Sequence, residues 1–483
     1  MKQNNGVEGR EFWDGATKFD LAVIGGGSGA FAAAIKGSEM GAKVAIIEEG
    51  VIGGTCLNRG CVPTKHLIRA AEVYHLAQSN PFAGFSLKRS KLDFAKLIEK
   101  KDALLDWARN AKYWDILRYH KNISFISRRA KLTAPGRIDA GGTEIQAQKI
   151  IIATGSSAFI PPIEGLDKVP YLTSTEALNL KELPGSMMVL GANAVGLELA
   201  QMFSRFGVKT AIHEIMGRVA PLEEPEISDA LGKYIKEDGI EVCTCSKVVK
   251  ARKEGTQIVI SSEMPGGKIR EFMAEALLVA TGRRPNTRNM GLEGLGVAMD
   301  ARGYIKTDEM MKTSVAGVFA AGDCVGPYQF VYTAAYQGAV AAQNALEDCC
   351  ERKINYEQVP YAIFTDPEVA SVGLKEEQAR KRGLAVRTSI LDFHWVPRAE
   401  AMLNERGLIK IVAEEKSLKL LGVHIVAPQA GELIHEAAMA LKFGATAADL
   451  IDALHVYPTL SEALKICAQG FFKDATKLSC CAE

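Results

Sequence analysis

Gly53-Gly54-Thr55-Cys56-Leu57-Asn58-Arg59-Gly60-Cys61-Val62-Pro63-Thr64-Lys65 is the stretch on which the reading of this chain turns. Two cysteines stand five residues apart among glycines, and the helix-like run His66-Leu67-Ile68-Arg69-Ala70-Ala71-Glu72 comes next. In a regular helix that spacing amounts to about 7.5 Å of rise, beyond the roughly 7 Å Cα separation that a disulfide tolerates. A bridge therefore needs a distorted turn, which Gly60 and Asn58 can supply. A thiol at the start of a helix has its thiolate stabilised by the helix dipole. A zinc site would call for a second Cys/His pair at ligand spacing, and none is evident. The stretch reads as a redox-active dithiol.

Immediately upstream, Phe19-Asp20-Leu21-Ala22-Val23-Ile24 predicts a buried strand, followed by Gly25-Gly26-Gly27-Ser28-Gly29-Ala30 and an alanine-rich helix through Lys36. Gly25, Gly27 and Ala30 occupy the three positions of a dinucleotide fingerprint: tight turn, close approach of backbone to pyrophosphate, close helix–strand packing. The next strand, Lys43 to Ile47, ends in Glu48, an acid at the distance expected for a ribose contact. Strand, helix, second strand and acid together make this a specific signal for a nucleotide site abutting the dithiol.

A second unit begins near Met187. Met187-Met188-Val189-Leu190 runs into Gly191-Ala192-Asn193-Ala194-Val195-Gly196-Leu197-Glu198, and the strand from Val208 to His213 ends in Glu214. Asn193 replaces the middle glycine, a residue type that tolerates left-handed geometry. Ile150-Ile151-Ile152-Ala153-Thr154-Gly155 and Leu277-Leu278-Val279-Ala280-Thr281-Gly282 match in form and read as the chain's returns from the two units. Gly317 to Asp323 is a short buried strand ending in an acid suited to a cofactor hydroxyl. From about Tyr356 strands and helices alternate without a glycine fingerprint, which suits a separate C-terminal domain, and no short internal repeat is visible. The expected segmentation is an N-terminal extension 1–17, a first nucleotide-binding domain in two parts, 18–157 and 282–350, a second nucleotide-binding domain 158–281, a C-terminal domain 351–475, and a mobile tail 476–483.

Composition sets the outer limits. A length of 483 residues corresponds to about two to four domains. With 47% apolar residues, 24% charged residues and a net charge of +1, nothing electrostatic points to nucleic acid or to an anionic membrane. No apolar run approaches the roughly eighteen residues of a membrane span. Residues 1–20 lack an apolar signal core, so a cytoplasmic location is expected. Ten cysteines in such a setting suggest reactive or metal-handling thiols rather than a disulfide scaffold.

The combination of Gly25–Ala30, Cys56–Cys61, Gly191–Glu198 and Ala320–Asp323 closely resembles the pyridine nucleotide–disulfide oxidoreductases, over about residues 18 to 475. The resemblance implies an α/β fold with two Rossmann-like dinucleotide-binding domains, one for FAD and one for NAD(P), plus an α+β dimerisation domain. It also implies a homodimer whose active site the partner completes. By position, Cys61 would be the flavin-proximal thiol, Cys56 the exchanging thiol, and Lys65 and Glu198 an ion pair beside the flavin ring. Gly54, Thr55, Thr154, Gly155 and Asp323 would join Gly25, Gly27, Ala30 and Glu48 around FAD, and Gly282 would join Gly191, Gly196 and Glu214 around the nicotinamide coenzyme. Ala194 stands where the family often has an aromatic lid over the nicotinamide pocket.

The C-terminal residues narrow the resemblance. Disulfide-reducing members carry a catalytic His just before Pro-Thr and a Glu shortly after; here the segment is His455-Val456-Tyr457-Pro458-Thr459-Leu460-Ser461-Glu462. Tyr457 takes the His position, and a phenol of pKa about 10 cannot shuttle protons near neutrality as imidazole does. The chain then ends Lys477-Leu478-Ser479-Cys480-Cys481-Ala482-Glu483. Adjacent cysteines, with Cα atoms about 3.8 Å apart, bridge poorly and offer two soft ligands. With Arg109-Asn110-Ala111-Lys112-Tyr113, these features resemble the mercuric reductase branch, in a core form without an N-terminal metal-binding domain. That resemblance implies that Hg(II), arriving as thiol complexes, is taken by Cys480 and Cys481 of one subunit and passed to Cys56 and Cys61 of the other. Tyr113 and Tyr457 would assist ligand exchange, with Glu462 nearby. Glu214 favours NADH over NADPH, because an acid there suits a ribose 2′-OH and repels a 2′-phosphate. The alternatives are a dihydrolipoamide dehydrogenase-like thiol–disulfide reductase using His455, or a metal-sequestering flavoprotein. Cys349-Cys350 reads as a helix end, Cys243 and Cys245 as sharing one face of a strand, Cys324 and Cys467 as core, and His394, His424 and His435 as structural.

Overall fold

The computed structural model describes residues 11–84, 91–347, 351–474 and 477. Its chain divides into two compact units: Met1–His66, Ala95–Phe159 and Gly282–Asn355 form one, and Leu67–Phe94, Ile160–Thr281 and Tyr356–Glu483 the other. This division is coarser than the segmentation read from the sequence, because the second nucleotide fold and the C-terminal domain fall in one unit. Cys480, Cys481, Cys349 and Cys350 lie outside the described residues.

In the first unit the strand Lys18–Ile24 sits between two parallel neighbours, Val44–Ile47 and Thr143–Ile152. Ile123–Ile126 extends the sheet on one side and Val318–Ala320 on the other, both in parallel. Strands covered on both faces read as unbroken apolar runs rather than alternating ones, and Leu21, Val23, Ile46 and Ile151 are fully buried. An antiparallel meander of Ala130–Ala134, Arg137–Ala140 and the start of Thr143–Ile152 completes the sheet.

The second unit repeats the plan. Its parallel sheet runs Glu241–Cys243, Lys209–His213, Ser186–Leu190, Ala276–Val279, Tyr171–Leu172, and an antiparallel meander of Lys247–Glu254, Gln257–Glu263 and Ile269–Ala274 precedes the return strand. The repeat is of topology at domain scale, so a search for short sequence periods passes over it. The same backbone crowding fixes both turns: a Cβ on Gly25 (φ +123°) would overlap the Ala153 carbonyl, and one on Gly191 (φ +102°) would lie 2.5 Å from the Ala280 oxygen. The remainder of this unit is a five-stranded antiparallel sheet, Tyr361–Ile363, Glu368–Gly373, Leu420–Ala427, Leu408–Glu414, Val386–Asp392. Helices Ala430–Lys442 and Glu462–Gln469 pack on it through Leu433, Ile434, Leu464 and Cys467. Among the described residues no helix is long and apolar enough to cross a membrane.

Asn193 makes no use of its tolerance of left-handed geometry: it is extended (φ −106°, ψ −172°) and N-caps the helix Ala194–Arg205, its side chain accepting from the Ala194 N–H. Gly27 holds the same conformation at the start of Ser28–Glu39 (φ −92°, ψ −170°). Cys243 and Cys245 do not share a strand face, because the strand stops at Cys243 and Cys245 turns to φ +50°. Cys243 is buried and Cys245 exposed, whereas Cys324 and Cys467 are core as expected.

A Cβ on Gly196 would run into the Gly191 carbonyl, whereas one on Gly294 meets nothing within 4 Å. Gly196→Ala should therefore destabilise the protein by about 3 kcal/mol, and Gly294→Ala by under about 0.5 kcal/mol. Chemical denaturation of both variants beside the unaltered protein checks this, and equal midpoints for the two would contradict it.

Candidate active site

The dithiol is carried by two helices rather than one. Gly54–Arg59 ends at Gly60, whose backbone (φ −133°, ψ −117°) breaks the run, and Cys61 opens the helix Cys61–Leu76. A side chain at position 60 would press on the Thr55 carbonyl at 2.9 Å. Cys56 and Cys61 are both half-buried thiols, close enough for a hydrogen bond between their sulfurs. That bond, with burial second, pushes Cys56 above the ordinary thiol range, while the charge of Lys65 works the other way. Asn58 holds the segment from inside: its Nδ2 donates to the carbonyls of Ile52 (3.1 Å) and Gly54 (2.9 Å). Its Oδ1 accepts from Arg109 Nε (3.1 Å) and Nη2 (3.0 Å).

The dithiol segment is set directly on the first nucleotide turn. Gly53 N–H donates to the Gly26 carbonyl (2.9 Å), and a Cβ on Gly54 (φ +61°) would stand 2.6 Å from the Gly27 Cα. Around this junction, the Glu48 carboxylate accepts from the Gly50 N–H (2.6 Å) and from Gly26, and burial raises its pKa. Ala30 is buried in the helix that leads away from the turn. Asp323 accepts from Ser156 Oγ (2.7 Å), whose oxygen in turn accepts from Arg283 Nε (2.6 Å). Arg283 also reaches Thr55 Oγ1 at 3.5 Å. Thr333, in the first turn of the helix Val331–Leu346, buries a hydroxyl that has no hydrogen-bond partner among the described residues.

Tyr113 lies in a π-helical turn, Asn110–Trp114, a feature often found at functional sites. Its ring meets Phe31 edge-on at 4.7 Å. Burial raises its pKa, a hydrogen bond with Ser28 opposes this, and the two cysteine sulfurs lie near enough to act on it. Tyr332, stacked on Phe330 at 5.4 Å, also feels Cys61. Arg283 and Tyr332 carry no local sequence signal, whereas Asn58, singled out only for the distorted turn, and Ser28 and Arg109, which stand inside quoted motifs, have site roles that sequence reading did not assign.

In the second unit Glu214 is buried, accepting from the Ala192 N–H (2.7 Å) and the Met216 N–H (2.8 Å). Gly282, left-handed at φ +114°, stands just beyond the return strand Ala276–Val279, as Gly155 (φ +69°) stands just beyond Thr143–Ile152. Glu198 is buried and accepts from the Phe364 N–H (2.9 Å). Tyr457 is 49% exposed, and Glu462 accepts from the Thr459 N–H (2.9 Å). Both ring nitrogens of His455 face acceptors, the Ala453 carbonyl (3.0 Å) and Glu436 (2.8 Å). His394 pairs with Glu405. Burial lowers the pKa of His424 to about 3. No cluster of three or more His, Cys, Asp or Glu suited to a metal ion occurs among the described residues.

Comparison with known proteins agrees with this layout. Residues 19–338 match the family described as pyridine nucleotide-disulphide oxidoreductase, and residues 359–468 match its dimerisation domain. The chain is 40% identical over 469 residues to a mercuric reductase of Bacillus cereus, covering 97% of this chain and 74% of that protein. It is 41% identical over 473 residues to one of Streptomyces lividans, covering 96% and 99%. Among solved structures, the Cu(II) complex of the HOCl-induced flavoprotein disulfide reductase RclA from Escherichia coli superposes with a TM-score of 0.82 at 30% identity, covering 92% of this chain and 98% of that one. With the fingerprint turns, the paired cysteines and near full-length identity all in agreement, the chain belongs to the pyridine nucleotide–disulphide oxidoreductases.

Proposed function

We propose that the chain reduces Hg(II) to Hg(0) with electrons from a nicotinamide coenzyme, as its mercuric reductase relatives are named for doing. The observation that carries this reading is a half-buried dithiol on the nucleotide turn with Tyr457 rather than His at the position of the family's proton shuttle. Reduction of a metal ion needs no acid to protonate a departing thiolate, so that loss is tolerable for this reaction and damaging for a disulfide substrate.

FAD and a nicotinamide coenzyme are the cofactors of the family, and the residues present fit the flavin. The bare Gly27–Gly54 approach, the open helix start at Ser28, the acids Glu48 and Asp323 and the Thr333 hydroxyl, unpartnered among the described residues, would make a cradle for a dinucleotide. Thr55, Thr154 and Gly155 would complete it. When bound, FAD supplies the two-electron relay between coenzyme and dithiol. Cys56 and Cys61 then act as two soft thiolate ligands for Hg(II), releasing their protons as the metal's previous thiol ligands leave. Two electrons convert the bound Hg(II) to Hg(0), and the coenzyme leaves oxidised. Lys65, with Glu198 as its partner, would balance thiolate charge beside the flavin ring, and the phenols of Tyr113 and Tyr457 would ease ligand exchange. Hg(II) would reach this site from Cys480 and Cys481 of the other subunit in a homodimer.

Glu214 supports NADH as the coenzyme. Its carboxylate is held by two backbone N–H groups in the manner of Glu48, leaving an acid where NADP would carry a phosphate. A thiol–disulfide reductase is the second reading, favoured by the likeness to RclA. It requires a base, and His455, the nearest histidine in sequence, is engaged at both ring nitrogens.

With Hg(II) in excess thiol, purified protein should oxidise NADH faster than NADPH and release volatile mercury. The Cys480→Ala/Cys481→Ala variant should lose about tenfold or more in kcat/KM, and Cys56→Ala or Cys61→Ala should lose turnover altogether. Hg-independent oxidation with lipoamide as acceptor would instead establish the disulfide reductase.

Cys56 is raised chiefly by its bond to Cys61. Replacing that acceptor in Cys61→Ala should therefore lower the pH midpoint of Cys56 alkylation. An unchanged midpoint would show that burial alone governs the thiol.

A further inference from the structure

The segment from Glu214 to Glu226 is fixed at both ends. At its start, Glu214 accepts from Ala192 and Met216. Ala220, left-handed at φ +41°, donates its N–H to the Ala192 carbonyl at 2.7 Å, which ties the segment to the second glycine turn. At its far end three acids leave the nucleotide fold and meet the C-terminal sheet. Glu223 accepts from Tyr361 Oη (2.8 Å) and Ser371 Oγ (2.7 Å). Glu224 accepts from the Glu376 N–H (2.6 Å). Lys410 Nζ reaches Glu224 (3.1 Å), Glu226 (2.9 Å) and Glu376 (2.9 Å).

Lys410 rises from the strand Leu408–Glu414 and is 1% exposed; Glu224 is 2% exposed. His424 lies opposite Lys410 in register with its pKa lowered by burial, and Arg380 reaches Glu376 alone (2.9 Å), so Lys410 is the cation that joins Glu224, Glu226 and Glu376. Glu224 occupies the N-cap position of the helix Pro225–Glu237 and Glu226 stands in its first turn, where the helix favours negative charge. A buried ion cluster contributes little to stability by itself, since apolar residues of equal volume often do as well or better. Its distinguishing property is direction: it fixes one backbone segment against another.

We propose that Lys410 and Glu223 are positioning residues for the nicotinamide coenzyme. By clasping residues 223–226, the dimerisation sheet holds Ala220 against the glycine turn and Glu214 at the ribose position, so coenzyme affinity is coupled to that sheet. The proposal rests on Glu214 contacting the coenzyme ribose.

The test uses the oxidised holoenzyme, with NAD+ binding followed by calorimetry and NADH turnover resolved into KM and kcat. Glu223→Gln and Lys410→Met should each weaken NAD+ binding and raise the NADH KM by about tenfold, the scale of an ordinary coupling energy. FAD content and the alkylation rates of Cys56 and Cys61 should stay unchanged, and Lys410→Arg should restore most of the affinity. Should Lys410→Met fail to fold, Glu223→Gln, which keeps the shape but removes the charge and one of the two accepting oxygens, decides alone. NAD+ binding within twofold of the unaltered protein in Glu223→Gln, with only the melting temperature lowered, would make the clasp purely structural and overturn the proposal. Glu214→Gln is the control: no effect there would remove the ribose contact on which the proposal stands, whereas an effect there without one in Glu223→Gln would overturn the clasp alone.

Discussion

At the junction of Gly27 and Gly54, two segments of backbone meet with no side chain between them. A methyl group on Gly54 would stand 2.6 Å from the Gly27 Cα, and the neighbouring Gly53 N–H is already bonded to the Gly26 carbonyl. This contact registers the dithiol helix on the nucleotide turn. Cys56 stands two residues after Gly54, and the break at Gly60 brings Cys61 back beside it. Asn58 and Arg109 then lock the segment from within. Remove the glycines and the redox pair loses its fixed relation to the site where electrons would arrive. Electron transfer is a matter of distance and orientation, so the glycine pair is as much part of the chemistry as the sulfurs.

One turn design serves two purposes in the chain. Glu48 and Glu214 each end a strand, and each is held by a backbone N–H from its own glycine turn and another two residues beyond the acid. Gly25 and Gly191 pack on the carbonyls of Ala153 and Ala280 in matching fashion. The first copy carries the dithiol, and the second leads into the acidic segment gripped by Lys410 and Tyr361. The two copies differ at the helix start, where Asn193 supplies a side-chain cap and Gly27 none, and in the chain downstream of the turn.

Much of this was legible in residue order because it is local. Glycines at fixed offsets, an acid at a strand end and two cysteines in a glycine-rich stretch are short-range signals with a backbone cause. The family resemblance, and with it the dimerisation domain, came from those same motifs. What could not be read was long-range or conformational. Asn193 stands where the helix demands a cap, which its side chain supplies from an extended backbone. Cys245 turns away from Cys243 because the strand ends before reaching it. Arg283, far from Thr55 and Asp323 in sequence, and the π turn that carries Tyr113 left no periodic trace. The Lys410 cluster joins acids and a lysine about 185 residues apart, where each residue alone reads as a solvated charge.

The destination of the coenzyme's electrons decides between a mercury reductase and its rivals. The most direct measurement is anaerobic: mercury vapour evolved against NADH consumed, with purified holoenzyme and Hg(II) held as a thiol complex. One Hg(0) released for each NADH oxidised is the expected result, since both are two-electron steps. NADH consumed without mercury vapour, or Hg(II) bound at the dithiol with no coenzyme oxidised, would contradict the proposed reaction and leave the chain a disulfide reductase or a metal-binding flavoprotein.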